Sequence, residues 1–247
     1  MKIGKPVRIL SQVDSTNEEI RRNLNKNTPE GLVVIADQQT HGKGRLGRSW
    51  HSEPGTGLYL SALLRPVMSI ENLACITLMA GLATASAIRQ QISTWVKLKW
   101  PNDILLNGKK IAGILCECIT DSGKNPAVIT GIGINLSHTH FPESIKDTAT
   151  SLKLETGKNV SREDIALSLL QNLDSEYENF LQGKIESLIQ RWTQQTDMFG
   201  NTITVYQKEK IRVGTAMGLD PHGKLILQTP KGEQMLIESG EISFKPD

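Results

Sequence analysis

Apolar and polar positions alternate with two different periods along this chain, and the change of period marks its elements. Val7–Leu10 and the β-branched run Leu32–Ala36 read as strands, the second of them buried. Between them, Ser15 and Glu18 form a Ser-x-x-Glu capping box that predicts a short helix to about Asn25. Gly57–Leu64 is a further strand, bounded by Pro54-Gly55 and Pro66. Ser69 to about Ile92 is Ala- and Leu-rich without proline, which predicts a mostly buried helix. Val96–Trp100 alternates apolar residues with lysines, as a half-buried strand does, and Pro101-Asn102-Asp103 turns it. Asn107-Gly108 is a hairpin-type turn leading into a strand over Lys110–Ile119, and Val128–Leu136 is another strand. Ser161-Arg-Glu-Asp164 opens a helical region to about Gln195, interrupted near Gly183.

From Asn201 the pattern shortens. Ile203–Tyr206, Ile211–Gly218, Leu225–Gln228, Met235–Ile237 and Ile242–Phe244 alternate with turns such as Asp220-Pro221-His222-Gly223, the pattern of a small closed or nearly closed β-barrel. The expected organisation is an α/β domain over residues 1–198 and a small all-β module over 199–247.

Composition narrows the class. A chain of 247 residues with 38% hydrophobic content buries a proper core. No apolar run has the length of a membrane span, and the start MKIGKPVRIL lacks the apolar core of a secretory signal. Three cysteines, an odd number, argue against a disulfide framework, so a cytoplasmic protein is expected. Net charge is only +2, but Gln38–Cys116 carries +6 and the remainder −4. Such local concentration points to an anionic ligand rather than a broadly basic surface.

Candidate chemistry sits inside that basic stretch. Gly42-Lys43-Gly44-Arg45-Leu46-Gly47-Arg48 satisfies G-x-G-x-x-G literally, yet no helix starts within it and the continuation is rich in Pro and Gly. A dinucleotide fingerprint needs that helix N-terminus against the pyrophosphate, so the Rossmann reading fails. Three glycines and three cations still suit an anion, through close backbone N–H approach and forked arginine donors. A solvated surface loop is the plain alternative. In Lys97-Leu98-Lys99-Trp100-Pro101-Asn102-Asp103, followed by Lys109-Lys110-Ile111-Ala112-Gly113, an Asn/Asp pair offers hard oxygens to Mg²⁺ while lysine offsets phosphate charge. A hairpin with solvated lysines explains the same residues.

Taken jointly, Asp14-Ser15-Thr16-Asn17, Gln39, Gly-x-Gly-Arg-x-Gly-Arg-x-Trp, Lys-Trp-Pro-Asn-Asp, Lys-x-Ala-Gly-Ile-Leu and Gly131-Ile132-Gly133-Ile134-Asn135 resemble the biotin–protein ligases. The resemblance spans the α/β part and the C-terminal β module. It implies a mixed-sheet catalytic domain of the class II aminoacyl-tRNA-synthetase and biotin-ligase kind, plus a small Src-homology-3-like barrel. It also implies that ATP and biotin form biotinyl-5′-AMP, which passes its acyl group to a lysine of a biotin carboxyl carrier protein of acetyl-CoA carboxylase. By the resemblance, Ser15, Thr16, Asn17 and Gln39 bind the ureido ring, although Ser15 and Thr16 also suit a helix cap. Lys43, Gly44 and Arg45 then contact the carboxylate and phosphate, with Lys110 bridging the two and Gly113 allowing close approach. Arg48, Trp50, Lys99, Asn102, Asp103 and Asn135 fall on the nucleotide side, with Asn102 and Asp103 facing Mg²⁺, while a core role explains Trp50 equally well.

The family usually has arginine where this chain has Lys43, which keeps the charge and loses the fork. A catalytic strand beginning near Val7 leaves no room for the repressor domain of bifunctional members, so a ligase without repressor function is expected, as a monomer or homodimer. Lipoate ligases share the chemistry and are the nearest enzymatic alternative. A nucleic-acid partner is disfavoured because the barrel region from Asn201 onward has mixed charge and only Tyr206 and Phe244 as aromatics, so no stacking platform is evident. A zinc site from Cys116, Cys118, His138 and His140 is disfavoured too. The two cysteines alternate on a strand, where one buried face accounts for them.

Overall fold

The computed structural model describes residues 2–67, 69–119, 126–207 and 210–244. Seven strands form one mixed sheet: β1 (Val7–Val13), β2 (Val33–Gln39), β3 (Gly57–Leu64), β4 (Lys97–Lys99), β5 (Asp103–Leu106), β6 (Lys109–Ile119) and β7 (Ala127–Asn135), in the order β1-β2-β3-β7-β6-β5-β4. Among the described residues of this sheet β1 and β2 run parallel and the other neighbours antiparallel. β5 begins at Asp103, which the sequence pattern places in a turn, and runs through Ile104–Leu106, to which that pattern assigns no element. The Asn107-Gly108 turn is as expected, with φ of 50° and 80° at the two residues.

Helices cover the two faces unequally. The long helix α2 (Cys75–Ile92) is preceded by a 3₁₀ turn over Ile70–Ala74, so the predicted helix from Ser69 is divided. Its many small residues let it pack tightly, and it is buried against the sheet on one side and α4 (Arg162–Leu181) on the other. Among the described residues the opposite face carries the short helix α1 (Thr16–Arg22), which lies over β2, β3 and β7 and closes a small core of Ile20, Leu32, Val34, Leu63, Ala127 and Ile129. The β5–β6 end of that face stays open, and the candidate site lies there.

Two local expectations need correction. Ser15 sits at the N-terminus of α1, but its side chain makes no capping bond; Glu18, its expected partner, turns to Lys43 and Arg21. The helix also ends at Arg22, short of Asn25. Elsewhere the cap chemistry is as read: Ser161 accepts from Asp164 N, and Gly183, at φ 74°, separates α4 from α5 (Ile185–Thr193). The short helix α3 (Leu152–Thr156) was not legible from periodicity.

The C-terminal strands β8 (Thr202–Gln207), β9 (Lys210–Leu219), β10 (Leu225–Gln228), β11 (Gln234–Ile237) and β12 (Glu241–Ser243) form one antiparallel sheet in the order β11-β10-β9-β8-β12. Among the described residues no pairing joins β11 to β12, so the expected barrel has an open seam. Its Ile203, Val205, Ala216 and Leu225 share one apolar core with the larger sheet. At the junction Trp100 Nε1 donates to Gly223 O at 3.0 Å.

Candidate active site

The site is built on three glycines. Antiparallel pairing places Gly113 of β6 directly opposite Gly133 of β7, while Gly131 lies between Ser61 of β3 and Leu115 of β6. Missing side chains leave two adjacent slots on the open sheet face. The ring of Trp50 fills the first: a Cβ on Gly133 would stand 2.5 Å from Trp50 Cε2, and one on Gly113 2.8 Å from Cζ3. The carboxamide of Asn17 fills the second, where a Cβ on Gly131 would overlap its Oδ1.

Lys110 reaches the same face through an irregularity. Residues three apart on a regular strand point to opposite sides, yet the β5–β6 register shifts between Ile104 and Leu105. The Lys110 side chain consequently lies beside Gly113, with Nζ 5.4 Å from the Trp50 ring centre and 2.5 Å from Asp103 Oδ1. Its backbone is pinned on the far side, Lys110 N donating to Thr148 O and Thr150 N to Lys110 O. Trp50 Nε1 is buried and has no hydrogen-bond partner among the described residues, so a donor faces the site unused.

The glycine-rich loop is a folded turn rather than an open cradle of amides. Gly44 N donates to Arg48 O, Arg48 N to Arg45 O and Trp50 N to Gly42 O, so these amides are already spent. Anion binding therefore falls to the side chains. Arg45 is half-buried and donates to Asn102 Oδ1 at 3.3 Å and Gly240 O at 3.2 Å. Burial lowers its pKa, while Asp103 and Glu241 act in the opposite sense. Arg48 is ion-paired with Glu241 of β12, and Lys43 Nζ lies 2.5 Å from Glu18 Oε1. Lys99 also has a lowered pKa, chiefly from burial, and stands 5.7 Å from the Phe244 ring centre. A cavity of about 490 Å³ runs between Lys43–Arg48 and the strand segment Ile114–Glu117.

A second polar cluster lies around α1. Gln39 Oε1 accepts from Thr16 N at 2.9 Å, and Gln39 Nε2 donates to Ser52 Oγ at 3.0 Å. Ser61 Oγ lies 2.7 Å from Thr16 Oγ1 and donates to Asn17 Oδ1 at 2.6 Å. Ser15 is buried beside them, its backbone N–H donating to Asp14. The sequence-predicted positions line these clusters or border them. Asn135 follows Gly131 and Gly133 on the same face of β7, and its Nδ2 donates to Thr150 O at 3.0 Å, which fastens the segment that pins Lys110. Asn102 is likewise engaged, with Nδ2 donating to Ile114 O and Oδ1 facing Arg45.

Several site-lining residues escaped the sequence reading. Ser61 had a signal, a single small hydroxyl side chain in the wholly buried strand β3. Glu117, Gly240 and Glu241 had none, because their relevance depends on which strands become neighbours. Cys116 is half-buried and Cys118 exposed, so no single buried face explains both. The reason is that β6 beyond Gly113 pairs with β7 alone. Among the described residues no three His, Cys, Asp or Glu side chains gather as metal ligands, and no helix is long and apolar enough to cross a membrane.

Comparison with known proteins gives the arrangement a context. The pattern of the Biotin/lipoate A/B protein ligase family matches residues 9–135, just over half the chain, and that of the Biotin protein ligase C terminal domain matches residues 199–245. A biotin–[acetyl-CoA-carboxylase] ligase of Paracoccus denitrificans is 33% identical over 96% of this chain and 99% of its own. The bifunctional ligase/repressor BirA of Bacillus subtilis is 34% identical over 91% of this chain and 69% of its own. The biotin protein ligase of Aquifex aeolicus in complex with biotin and ATP superposes with a TM-score of 0.85, at 33% identity, over 98% of this chain and all of that one.

Proposed function

Because the chain belongs to the Biotin/lipoate A/B protein ligase family, we propose that its open sheet face activates biotin with ATP and hands the biotinyl group to a lysine of a carrier protein. The enzyme is an ATP-dependent biotin–[acetyl-CoA-carboxylase] ligase. The observation that carries the assignment of roles is the convergence of Lys110, Asp103 and Trp50 on the Gly113–Gly133 pair.

The chemistry brings anion to anion. A biotin carboxylate oxygen attacks the α-phosphorus of ATP, the bond to the bridging oxygen breaks, and pyrophosphate leaves with that electron pair. The ε-amine of the carrier lysine then attacks the acyl carbon, AMP leaves, and the nitrogen loses a proton to give the amide. Neither step requires a nucleophile from the enzyme; both require positioning and cations.

The residues divide accordingly. Lys110 sits where it can bridge carboxylate and α-phosphate, with Arg45 and Lys43 adding charge from the loop. Gly113 makes room for the Trp50 ring and the Lys110 side chain, and Gly44 belongs to the folded turn that presents the loop cations. Ser15, Thr16, Asn17 and Gln39 supply the small polar groups that a cyclic urea needs. Trp50 walls the pocket, and Arg48 and Lys99 face the nucleotide beside β12. Asn102 holds Arg45 and β6 in place, while Asn135 serves the nucleotide end through the segment it anchors.

Magnesium fits the donor set in a limited way. Mg²⁺ takes one or two carboxylates and completes its shell with water and substrate phosphates, and Asp103 offers one such oxygen beside Lys110. Asn102 Oδ1 is committed to Arg45, so Asp103 is assigned the metal alone. When bound with ATP, the ion offsets the phosphate charge.

The same reading divides the chain into a catalytic part, 1–198, and a C-terminal part, 199–247, whose last three residues lie outside the described ones. It places the enzyme in the cytoplasm, as a monomer or homodimer, with a carrier protein and no nucleic acid as its macromolecular partner. The test is ATP-dependent biotinylation of a biotin carboxyl carrier domain, with Lys110→Ala as control and lipoate as competing acid. Pyrophosphate release with lipoate and none with biotin would overturn the assignment.

A further inference from the structure

Asn17 is buried, and every hydrogen-bonding position of its carboxamide but one is already engaged. Its Nδ2 donates to Glu117 Oε2 at 2.7 Å and to Leu115 O at 3.3 Å. A carboxylate and a backbone carbonyl only accept, so the nitrogen must face them and both its protons are spent. Its Oδ1 accepts from Ser61 Oγ at 2.6 Å and keeps one lone pair over the slot at Gly131. The orientation is thereby set from two sides, by a carboxylate on β6 and a hydroxyl on β3.

Glu117 is itself held. Its Oε1 accepts from Arg21 Nη2 at 2.7 Å, Arg21 Nε lies 3.3 Å from Glu18 Oε1, and Glu18 meets Lys43. A continuous polar chain therefore runs from the ureido end of the pocket to the first cation of the loop. Without Glu117 the nitrogen side of the carboxamide keeps only the longer bond to Leu115 O at 3.3 Å, and the lock on its orientation is loosened.

We propose that Glu117 and Ser61 are positioning residues that lock Asn17 as a hydrogen-bond acceptor, so that the pocket selects an acid bearing a free urea N–H. This rests on the biotin-ligase reading and adds to it the origin of the discrimination. A cyclic urea N–H donates to Asn17 Oδ1; a urea alkylated at that nitrogen, or a dithiolane, has no donor to offer there. A buried site built for a hydrogen bond rejects the analogue lacking it, because its own polar atom is left unpaired.

The test uses the full chain, with pyrophosphate release measured for biotin and for biotin methylated on each ureido nitrogen in turn, the more strongly rejected isomer serving as the analogue that lacks the donor. Glu117→Ala is expected to raise the KM for biotin about tenfold, the scale of one lost hydrogen bond, with kcat within about twofold. The preference for biotin over the methylated analogue should shrink by a similar factor. Glu117→Gln, which retains an acceptor oxygen, should bring both quantities back towards the wild type. Ser61→Ala probes the same lock from β3 and carries the test if Glu117→Ala does not fold. An unchanged KM and preference in the folded variants overturns the proposal. So does a fall in kcat at constant KM, or a Gln variant as impaired as the Ala one. A wild-type chain inactive with biotin would instead sink the reading of function, which separates the two failures.

Discussion

Lys110 Nζ and Asp103 Oδ1 form an ion pair at 2.5 Å across the β5–β6 hairpin, and the irregular register there turns both towards the Gly113 slot. Both charges face the place where phosphate charge develops, so the two residues should fail differently. Lys110→Ala is expected to lower the rate of adenylate formation by about 10²–10³, the usual cost of removing one transition-state donor. Asp103→Asn keeps the shape and removes the charge; it should raise the Mg²⁺ concentration needed for half-maximal rate. Equal Mg²⁺ dependence in wild type and Asp103→Asn would remove Asp103 from the metal.

Gly133→Ala tests the slot itself. The added methyl would stand 2.5 Å from the Trp50 ring, well inside contact distance, so the ring must leave. Adenylate formation should fall by at least about tenfold, as expected of an ångström-scale misplacement in a site. A variant with wild-type activity and unchanged tryptophan emission would show that Trp50 does not rest there.

Lys43 ion-pairs with Glu18 and carries a point charge where an arginine would present a fork. Lys43→Arg should hold the adenylate more tightly. Release of biotinyl-AMP from a single-turnover mixture without carrier is expected to slow; unchanged or faster release would count against the loop lysine as a weak point.

Trp100 ties the two sheets together through Gly223 O. Trp100→Phe keeps most of the buried ring and orphans that carbonyl, a loss of about 1–3 kcal/mol. Thermal unfolding should shift downwards, and the decrease should accompany weaker ATP binding if the Arg48–Glu241 and Arg45–Gly240 contacts depend on the junction.

His138 is wholly buried, with Nε2 2.8 Å from Thr56 Oγ1. Burial pushes its pKa down to about 4, with His51 adding to the effect. The unfolded chain binds this proton near its ordinary value of about 6.5 while the folded chain does not. Stability is therefore present above pH 6.5 and is lost as pH falls towards 4, by up to about 3 kcal/mol. His138→Gln should flatten the dependence of Tm on pH over that window; a parallel pair of profiles would refute the buried neutral imidazole.

Much of the site was legible without coordinates. Local spacing determined the Asn107-Gly108 turn and the strand that carries Gly131-Ile132-Gly133, whereas the candidate roles of Lys110, Asn102 and Asp103 came from the joint resemblance of scattered motifs, since spacing by itself leaves a hairpin with solvated lysines. Helix breaks at Gly183 and the cap at Ser161 were local in the same sense, since each depends on a few adjacent backbone dihedrals. Tertiary structure decided the rest. The capping box at Ser15 lost to an ion pair, because Glu18 finds Lys43 across the loop, 25 residues on. Gly44's amide is not free, because the loop folds on itself. Asn135 braces Thr150, and Glu117 reaches Asn17 100 residues away, because β6 lies next to β7 and α1 crosses above them. Pairing across a sheet joins residues that carry no mutual signal along the chain, so which polar atoms are spent and which remain for a substrate is settled only when the strands find their neighbours.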